Sequence, residues 1–187
     1  MKERYTRKDL LNGAGGAGIA LAIIPIIYYF VSCRFSLSAA EGTETPFVTN
    51  LLMMLFWLFK FAAGIFIMRF FMRTFVNRFD GVSISVARRF GVLAAVFSAL
   101  TYAACAMAYH KFIDPNMMRT MVDYALSNSP IPLDSNTLSV MDKAYDAMPV
   151  GVFVSKFIYC SLYGMILSAI LSSRVGADPD IFIDSEK

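Results

Sequence analysis

The sequence predicts an all-α membrane protein with four transmembrane helices and short amphipathic helices in its outer loop. Hydrophobic residues make up 57% of the 187-residue chain before its 11 glycines are counted, whereas soluble domains contain about 45–50% with glycine included. Four apolar runs carry this excess, at residues 13–33, 47–68, 90–110 and 150–172. Each run is close to the roughly 20 residues that a helix needs to cross a bilayer.

The basic residues predict how these helices are oriented. Four Lys or Arg precede the first run, five lie between the second and third, and three lie between the third and fourth, but only Arg34 lies between the first and second. Because Lys and Arg are retained on the cytoplasmic side, both termini should be cytoplasmic. We expect a multi-pass protein of the bacterial inner (cytoplasmic) membrane. The net charge of +3 follows from this topology and argues against a nucleic-acid partner.

The domain organisation follows from the same pattern. It consists of a cytoplasmic N-terminal segment 1–12, a four-helix transmembrane domain 13–173 with an outer loop 114–149, and a cytoplasmic tail 174–187. The first run loosely resembles a cleaved signal, with FVSC at its end, yet it is longer than the roughly 7–15 residues of a signal core and contains Pro25. We therefore expect the first helix to be retained.

Small residues recur at four-residue spacing on three of the four predicted helices. Such faces let the backbones of membrane helices approach closely. They are formed by Ala14, Gly18 and Ala22; by Gly91, Ala95, Ala99 and Ala103; and by Cys160, Gly164, Ser168 and Ser172. We expect these faces to pack against one another within the bundle, and the alternative is a homodimer surface.

The second helix contains Lys60 within the apolar stretch FKFAAGIFIM. An ionisable residue inside the membrane is a candidate functional site, and no predicted span contains an acid between its ends. The candidate partners are a Tyr hydroxyl such as that of Tyr102, a freed backbone carbonyl, a ligand anion, or an acid of another protein. The structural alternative is that Lys60 snorkels to the headgroups, as we expect for Lys156 near its helix end. Trp57 and Gly64 share the Lys60 face.

His110 is the only histidine, which excludes a multi-histidine metal site. With Asp114 it could form a proton-relay pair, although Pro115 disfavours helical geometry at Asp114. The three methionines within residues 117–121 could offer soft ligands to Cu(I). Methionines at helical spacing more often pack against lipid or core, so we expect no metal and no other cofactor.

The outer loop is predicted to contain two short helices. The Asp-Pro pair at residues 114–115 is a helix-start signal, and apolar residues then recur at helical spacing over residues 118–125. This pattern indicates an amphipathic helix lying on the membrane surface. A second short helix is expected over residues 135–147, before Pro149 begins the last span.

Several of these features resemble a known family. The four spans, the turn DGVSI at residues 80–84, the Arg-containing entry to a small-residue helix and the exit YHKFIDP at residues 109–115 are together similar to the small bacterial membrane proteins grouped as DUF4199, found chiefly in Bacteroidota. The resemblance spans most of the chain, and its motif-like part is residues 80–115. It implies a four-helix membrane domain and no established activity, so it transfers no catalytic residue.

Enzyme signatures are missing from the sequence. The glycine run at residues 13–18 lacks the Lys-Ser/Thr pair of a phosphate loop, and no G-x-S-x-G elbow occurs. We expect a non-enzymatic protein that contacts another membrane protein or a second copy of itself within the lipid bilayer. The alternative is a small transporter or lipid-binding protein in which Lys60 meets an anionic group. The candidate ligand or partner contacts are Lys60, Trp57, Gly64, Tyr102 and His110.

Overall fold

A computed structural model of the chain describes residues 3–40, 46–80, 82–127 and 135–175. These residues are nearly all helical, and four of the helices are long and apolar enough to cross a membrane. The helices are α1 (Arg7–Ala40), α2 (Pro46–Arg78), α3 (Ile84–Ala108), α4 (Met117–Ser127) and α5 (Ser135–Val175). A π-helical turn (Tyr109–Ile113) extends α3. The predicted class, an all-α membrane protein with four spans, is confirmed.

Two short strands, one before α1 and one after α2, pair with each other at one end of the bundle. β1 (Glu3–Arg4) pairs in parallel with β2 (Phe79–Asp80). We call this the bridge end, and we call the opposite end, where the π-helical turn lies, the His110 end. The pairing brings residues 3–12 of the N-terminal segment and residues 69–80, which begin the Arg-rich connection between the second and third predicted spans, to the same end.

Helix α1 begins at Arg7, within the segment that the sequence assigned to the N-terminal region. Thr6 and Asp9 cap it reciprocally: the Asp9 N–H donates to Thr6 Oγ1 at 3.2 Å, and the Thr6 N–H donates to Asp9 Oδ2 at 3.0 Å. This arrangement satisfies backbone donors that have no partner within the helix. The helix therefore continues well beyond the apolar run from which it was predicted.

Helix α3 is the centre of the bundle. In its most apolar window 44% of the residues are buried, against 6% for α2. It packs against α1 on one side and α5 on the other, whereas α2 contacts mainly α1. Large apolar side chains of α2, such as Phe66, are therefore exposed. In a four-span protein these side chains face lipid.

The small-residue faces form the contacts of α3 with its two neighbours. A Cβ on Gly18 of α1 would lie 2.6 Å from the Phe97 Cβ and 2.7 Å from the Ala94 carbonyl oxygen of α3. A Cβ on Gly164 of α5 would collide with the Ala95 side chain of α3. The prediction that these faces pack within the bundle is confirmed.

A polar contact strengthens the packing of α3 on α5. Gly91 leaves room for the fully buried Ser168, whose Oγ donates to the Arg88 carbonyl at 2.9 Å. Small residues and hydroxyl hydrogen bonds are what membrane helices use for association. Because these faces are buried within one chain, a homodimer would have to use another surface.

The outer loop differs from its prediction in one respect. Helix α4 lies where the first loop helix was predicted, although its amphipathic character remains a prediction. The second predicted helix, residues 135–147, is not separate: α5 runs from Ser135 through Pro149 without interruption. Proline removes one backbone hydrogen bond from the helix, and transmembrane helices tolerate this loss.

Candidate functional site

A cavity of about 240 Å³ lies between α1, α2, α3 and α5. Its lining residues recur at three- or four-residue spacing along each helix, so one face of every helix contributes. The polar part of the lining consists of two lysines, five tyrosines, two serines and one cysteine, and none of the lining residues is Asp or Glu. The cavity is therefore cationic and has no acidic side chain among these residues to balance it.

Lys60 is one of the two lysines in the cavity. It is half-buried, and its Nζ lies 4.3 Å from the centroid of the Tyr28 ring on α1 and 4.9 Å from that of Phe61. An ammonium over an aromatic face is stabilised by about 0.5–1 kcal/mol at exposed sites and by about 2 kcal/mol or more when desolvated. Lys60 thus contacts the faces of two aromatic rings. From the sequence, a Tyr hydroxyl was one of its candidate partners.

Lys156 is the second cation and enters the cavity from α5. Its Nζ lies 5.3 Å from the centroid of the Tyr29 ring. Tyr29 directly follows Tyr28, whose ring Lys60 contacts. The sequence predicted that this side chain would snorkel to the headgroups, and the structure places it in the lining of the cavity. Two ammonium groups in one cavity repel each other, and an anion between them would relieve that repulsion.

The tyrosines supply hydroxyl donors around these two cations. Tyr102 of α3 packs edge-on against Tyr29, with ring centroids 5.8 Å apart, and Tyr163 of α5 packs edge-on against Phe61 at 5.2 Å. Tyr159 is 61% exposed although it lines the cavity. The cavity is therefore open on the Tyr159 side of α5. Ammonium and hydroxyl donors together suit an anionic oxygen acceptor.

His110 lies behind the cavity wall rather than in it. Its Nε2 is 2.5 Å from the Tyr29 hydroxyl, and the residue is only 5% exposed. Its Nδ1 is buried and has no hydrogen-bond partner among the residues that the structure describes. The π-helical turn that carries it is closed by a hydrogen bond from the Asp114 N–H to the Tyr109 carbonyl at 2.9 Å. Such wide turns are frequent at functional sites. The hydrogen-bond partner of His110 is Tyr29, not Asp114 as considered from the sequence.

Three of the five predicted contact residues line the cavity, namely Lys60, Gly64 and Tyr102. Trp57 does not: its ring packs against Phe61 at 4.5 Å and the residue is 44% exposed. His110 reaches the cavity only through Tyr29. Sequence reasoning missed the remaining polar lining, although a signal was present. Lys156, Tyr159 and Tyr163 recur at spacings of three and four residues and so share one face of α5.

Within the part of the chain that the structure describes, no group of three His, Cys, Asp or Glu residues could hold a metal ion. Of the three methionines considered as copper ligands, Met117 is buried in a cluster with Cys33 and Tyr109. The side chains of the other two, at positions 118 and 121, lie outside the described residues.

A family model matches residues 16–175, a range that includes every residue lining the cavity. The chain belongs to the DUF4199 family. This family is described as proteins of unknown function, so membership confirms the resemblance and assigns no activity. No curated protein and no solved structure matches this DUF4199 member. Its cavity must therefore be interpreted from its own residues.

Proposed function

We propose that this DUF4199 protein binds an amphipathic anion inside the membrane, in the cavity between Lys60 and Lys156, as a small transporter or lipid-binding protein. The observation that carries this proposal is the pair of ammonium groups in one cavity whose lining contains no acid. Charges are costly at membrane depth and mark substrate or ion sites there. A bound anion would balance both lysines at once.

The walls of the cavity support the amphipathic character of the ligand. Leu21, Met68 and Leu167 supply an apolar lining beside the two lysines. The volume of about 240 Å³ is below the roughly 300–1,000 Å³ of pockets that enclose a drug-sized ligand. It suits a carboxylate, phosphate or sulfonate head, while an apolar tail leaves by the opening at Tyr159. Such a molecule is either an anionic membrane lipid or an amphipathic anionic metabolite.

Contact with another membrane protein remains a prediction with less support than anion binding. The small-residue faces, whose alternative role was a homodimer surface, are buried within the chain, and Lys60 lines the internal cavity. The exposed surface of α2, which includes Trp57 and Phe66, is one of the apolar surfaces left for a partner. Co-purification of a stoichiometric protein that is lost on Trp57→Ala would support it, and unchanged recovery would argue against it.

In the same proposal the protein lies in the bacterial inner membrane with both termini cytoplasmic, and it performs no chemical step on its ligand. The orientation is supported by the Lys and Arg residues near the bridge end, which follow the rule that basic residues stay inside. The non-enzymatic role is supported by the absence of enzyme motifs from the sequence. The bridge end would then face the cytoplasm and the His110 end the opposite side.

Native mass spectrometry of the protein extracted with its own lipids tests the function. The wild type should retain an anionic lipid or an anionic metabolite, and Lys60→Met and Lys156→Met should each lose it. Lys111→Met is the matched control, because Lys111 is exposed and does not line the cavity. The mass of the retained species distinguishes a lipid from a metabolite. An identical set of bound anions in all four proteins would contradict the proposal.

A further inference from the structure

We propose that His110 and Tyr29 form a proton site in the wall of the cavity, so that the anion binds together with one proton. This inference rests on the proposed function and adds a coupled ion to it. The geometry that carries it is a buried imidazole whose hydrogen-bonded partner is a lining residue of the anion cavity.

The imidazole has the features of a proton acceptor. Unperturbed histidine is the side chain that changes its charge between about pH 5 and pH 8. His110 is 5% exposed, and no described residue offers its buried Nδ1 a hydrogen bond. Buried polar atoms are nearly always hydrogen-bonded, so an unpaired one calls for an explanation such as a functional role. With no second hydrogen bond to fix its tautomer, the ring can gain a proton at Nε2 while Nδ1 keeps its hydrogen.

Tyr29 links the imidazole of His110 to the anion site. When Nε2 carries no hydrogen, the Tyr29 hydroxyl donates its own hydrogen to Nε2 across the 2.5 Å contact. When the imidazole is protonated at both nitrogens, Nε2–H donates to the Tyr29 oxygen instead. The hydroxyl hydrogen of Tyr29 is then free to turn toward an acceptor in the cavity. Protonation of His110 therefore supplies the anion with one more donor, with no bond made or broken at the ligand.

The charges near His110 include one of each sign. Asp114 attracts an imidazolium and Lys156 repels it. An anion between the lysines offsets the charge of Lys156 and so favours the imidazolium. By thermodynamic reciprocity the imidazolium favours the anion to the same extent. Among the residues that the structure describes, the titratable and charged groups that act on the pair are Cys33 of α1, Tyr102 of α3, Tyr109 and Asp114 at the π-helical turn, and Lys156 of α5.

The test uses decyl sulfonate, whose own charge is constant over the pH range of interest, and protein in nanodiscs of zwitterionic lipid. Calorimetric titrations in buffers of different ionisation enthalpy give the number of protons taken up with each anion. We expect an uptake that approaches one proton per bound anion, and an affinity that falls by up to about tenfold per pH unit as the pH rises through the imidazole titration.

Three variants locate the proton. His110→Gln keeps a side-chain donor near Tyr29 but cannot titrate, and Tyr29→Phe keeps the ring beneath Lys156 without the hydroxyl. The proposal predicts that His110→Gln binds the probe without proton uptake, and that Tyr29→Phe loses much of the pH dependence. Lys111→Met, next to His110 but exposed, should behave as the wild type.

The outcomes separate this inference from the function on which it rests. Probe binding by the wild type without proton uptake, or uptake that persists in His110→Gln, would overturn the proton site and leave the anion site standing. No binding of decyl sulfonate by the wild type at any pH would overturn both. The wild-type proton count is decisive even where a variant does not fold.

Discussion

A lysine at the middle of an apolar helix is tolerated here because its charge meets aromatic faces. Lys60 lies 4.3 Å from the Tyr28 ring and 4.9 Å from the Phe61 ring. Lys156 uses the neighbouring Tyr29 in the same way at 5.3 Å. Cation–π contacts stabilise the cations without neutralising them, so both ammonium groups remain available to an anion.

The contact between Lys60 and Tyr28 gives a prediction about stability. Tyr28→Phe keeps the aromatic face and should leave thermal unfolding in detergent nearly unchanged, whereas Tyr28→Leu should destabilise the protein by about 1 kcal/mol. In a Lys60→Met background the difference between Phe and Leu at this position should shrink, as a double-mutant cycle requires. Equal stability of the Phe and Leu variants with Lys60 present would show that the ring face does not hold the cation.

Some residues of the site could be identified from the sequence and others could not. Lys60 could be identified because a charged residue within an apolar run stands out in the sequence itself, independently of its tertiary contacts. The role of Lys156 depends on how α5 is rotated about its own axis, and that rotation is set by Gly164 against Ala95 of another helix. The bond of His110 to Tyr29 joins residues 81 positions apart, and no local pattern encodes it.

At the scale of elements, the spans could be predicted because length and apolarity are properties of each segment alone. The helix ends were missed because hydropathy marks only the apolar run, although the Thr6 and Asp9 spacing was a readable signal for the start of α1. The β1–β2 pairing and the π-helical turn also arise from contacts and hydrogen bonds that hydropathy does not report. The small-residue faces were predicted correctly because close approach demands small side chains locally.

The orientation of the helices in the membrane can be tested by cysteine labelling. In a background with the native cysteines replaced, Asn116→Cys at the His110 end should react with a membrane-impermeant maleimide in intact cells. Asn77→Cys at the bridge end is its matched partner, because both asparagines are exposed. It should react only after the cells are permeabilised, since basic residues hold that end inside. The reverse pattern of labelling would overturn the proposed topology.

At the scale of the whole molecule, the cavity exists because one face from each of four helices meets the others around the same space. α3 forms the centre of the bundle and α2 an outer wall with little burial. Regions with few buried contacts open at the lowest free energy. We therefore expect α2 to be the helix that moves when a ligand enters. Two lysines thus face a site that an amphipathic anion can reach from the membrane.

The most direct test of this account is the equilibrium binding of decyl sulfonate to the protein in zwitterionic nanodiscs. We predict saturable binding by the wild type and by Lys111→Met. Either Lys60→Met or Lys156→Met should weaken it by about ten- to hundredfold, since a hydrogen bond to a charged group contributes about 1.5–3 kcal/mol. Uncharged decanol should not compete. Equal affinity in all four proteins, or competition by decanol as effective as by the sulfonate, would contradict an anion site formed by the two lysines.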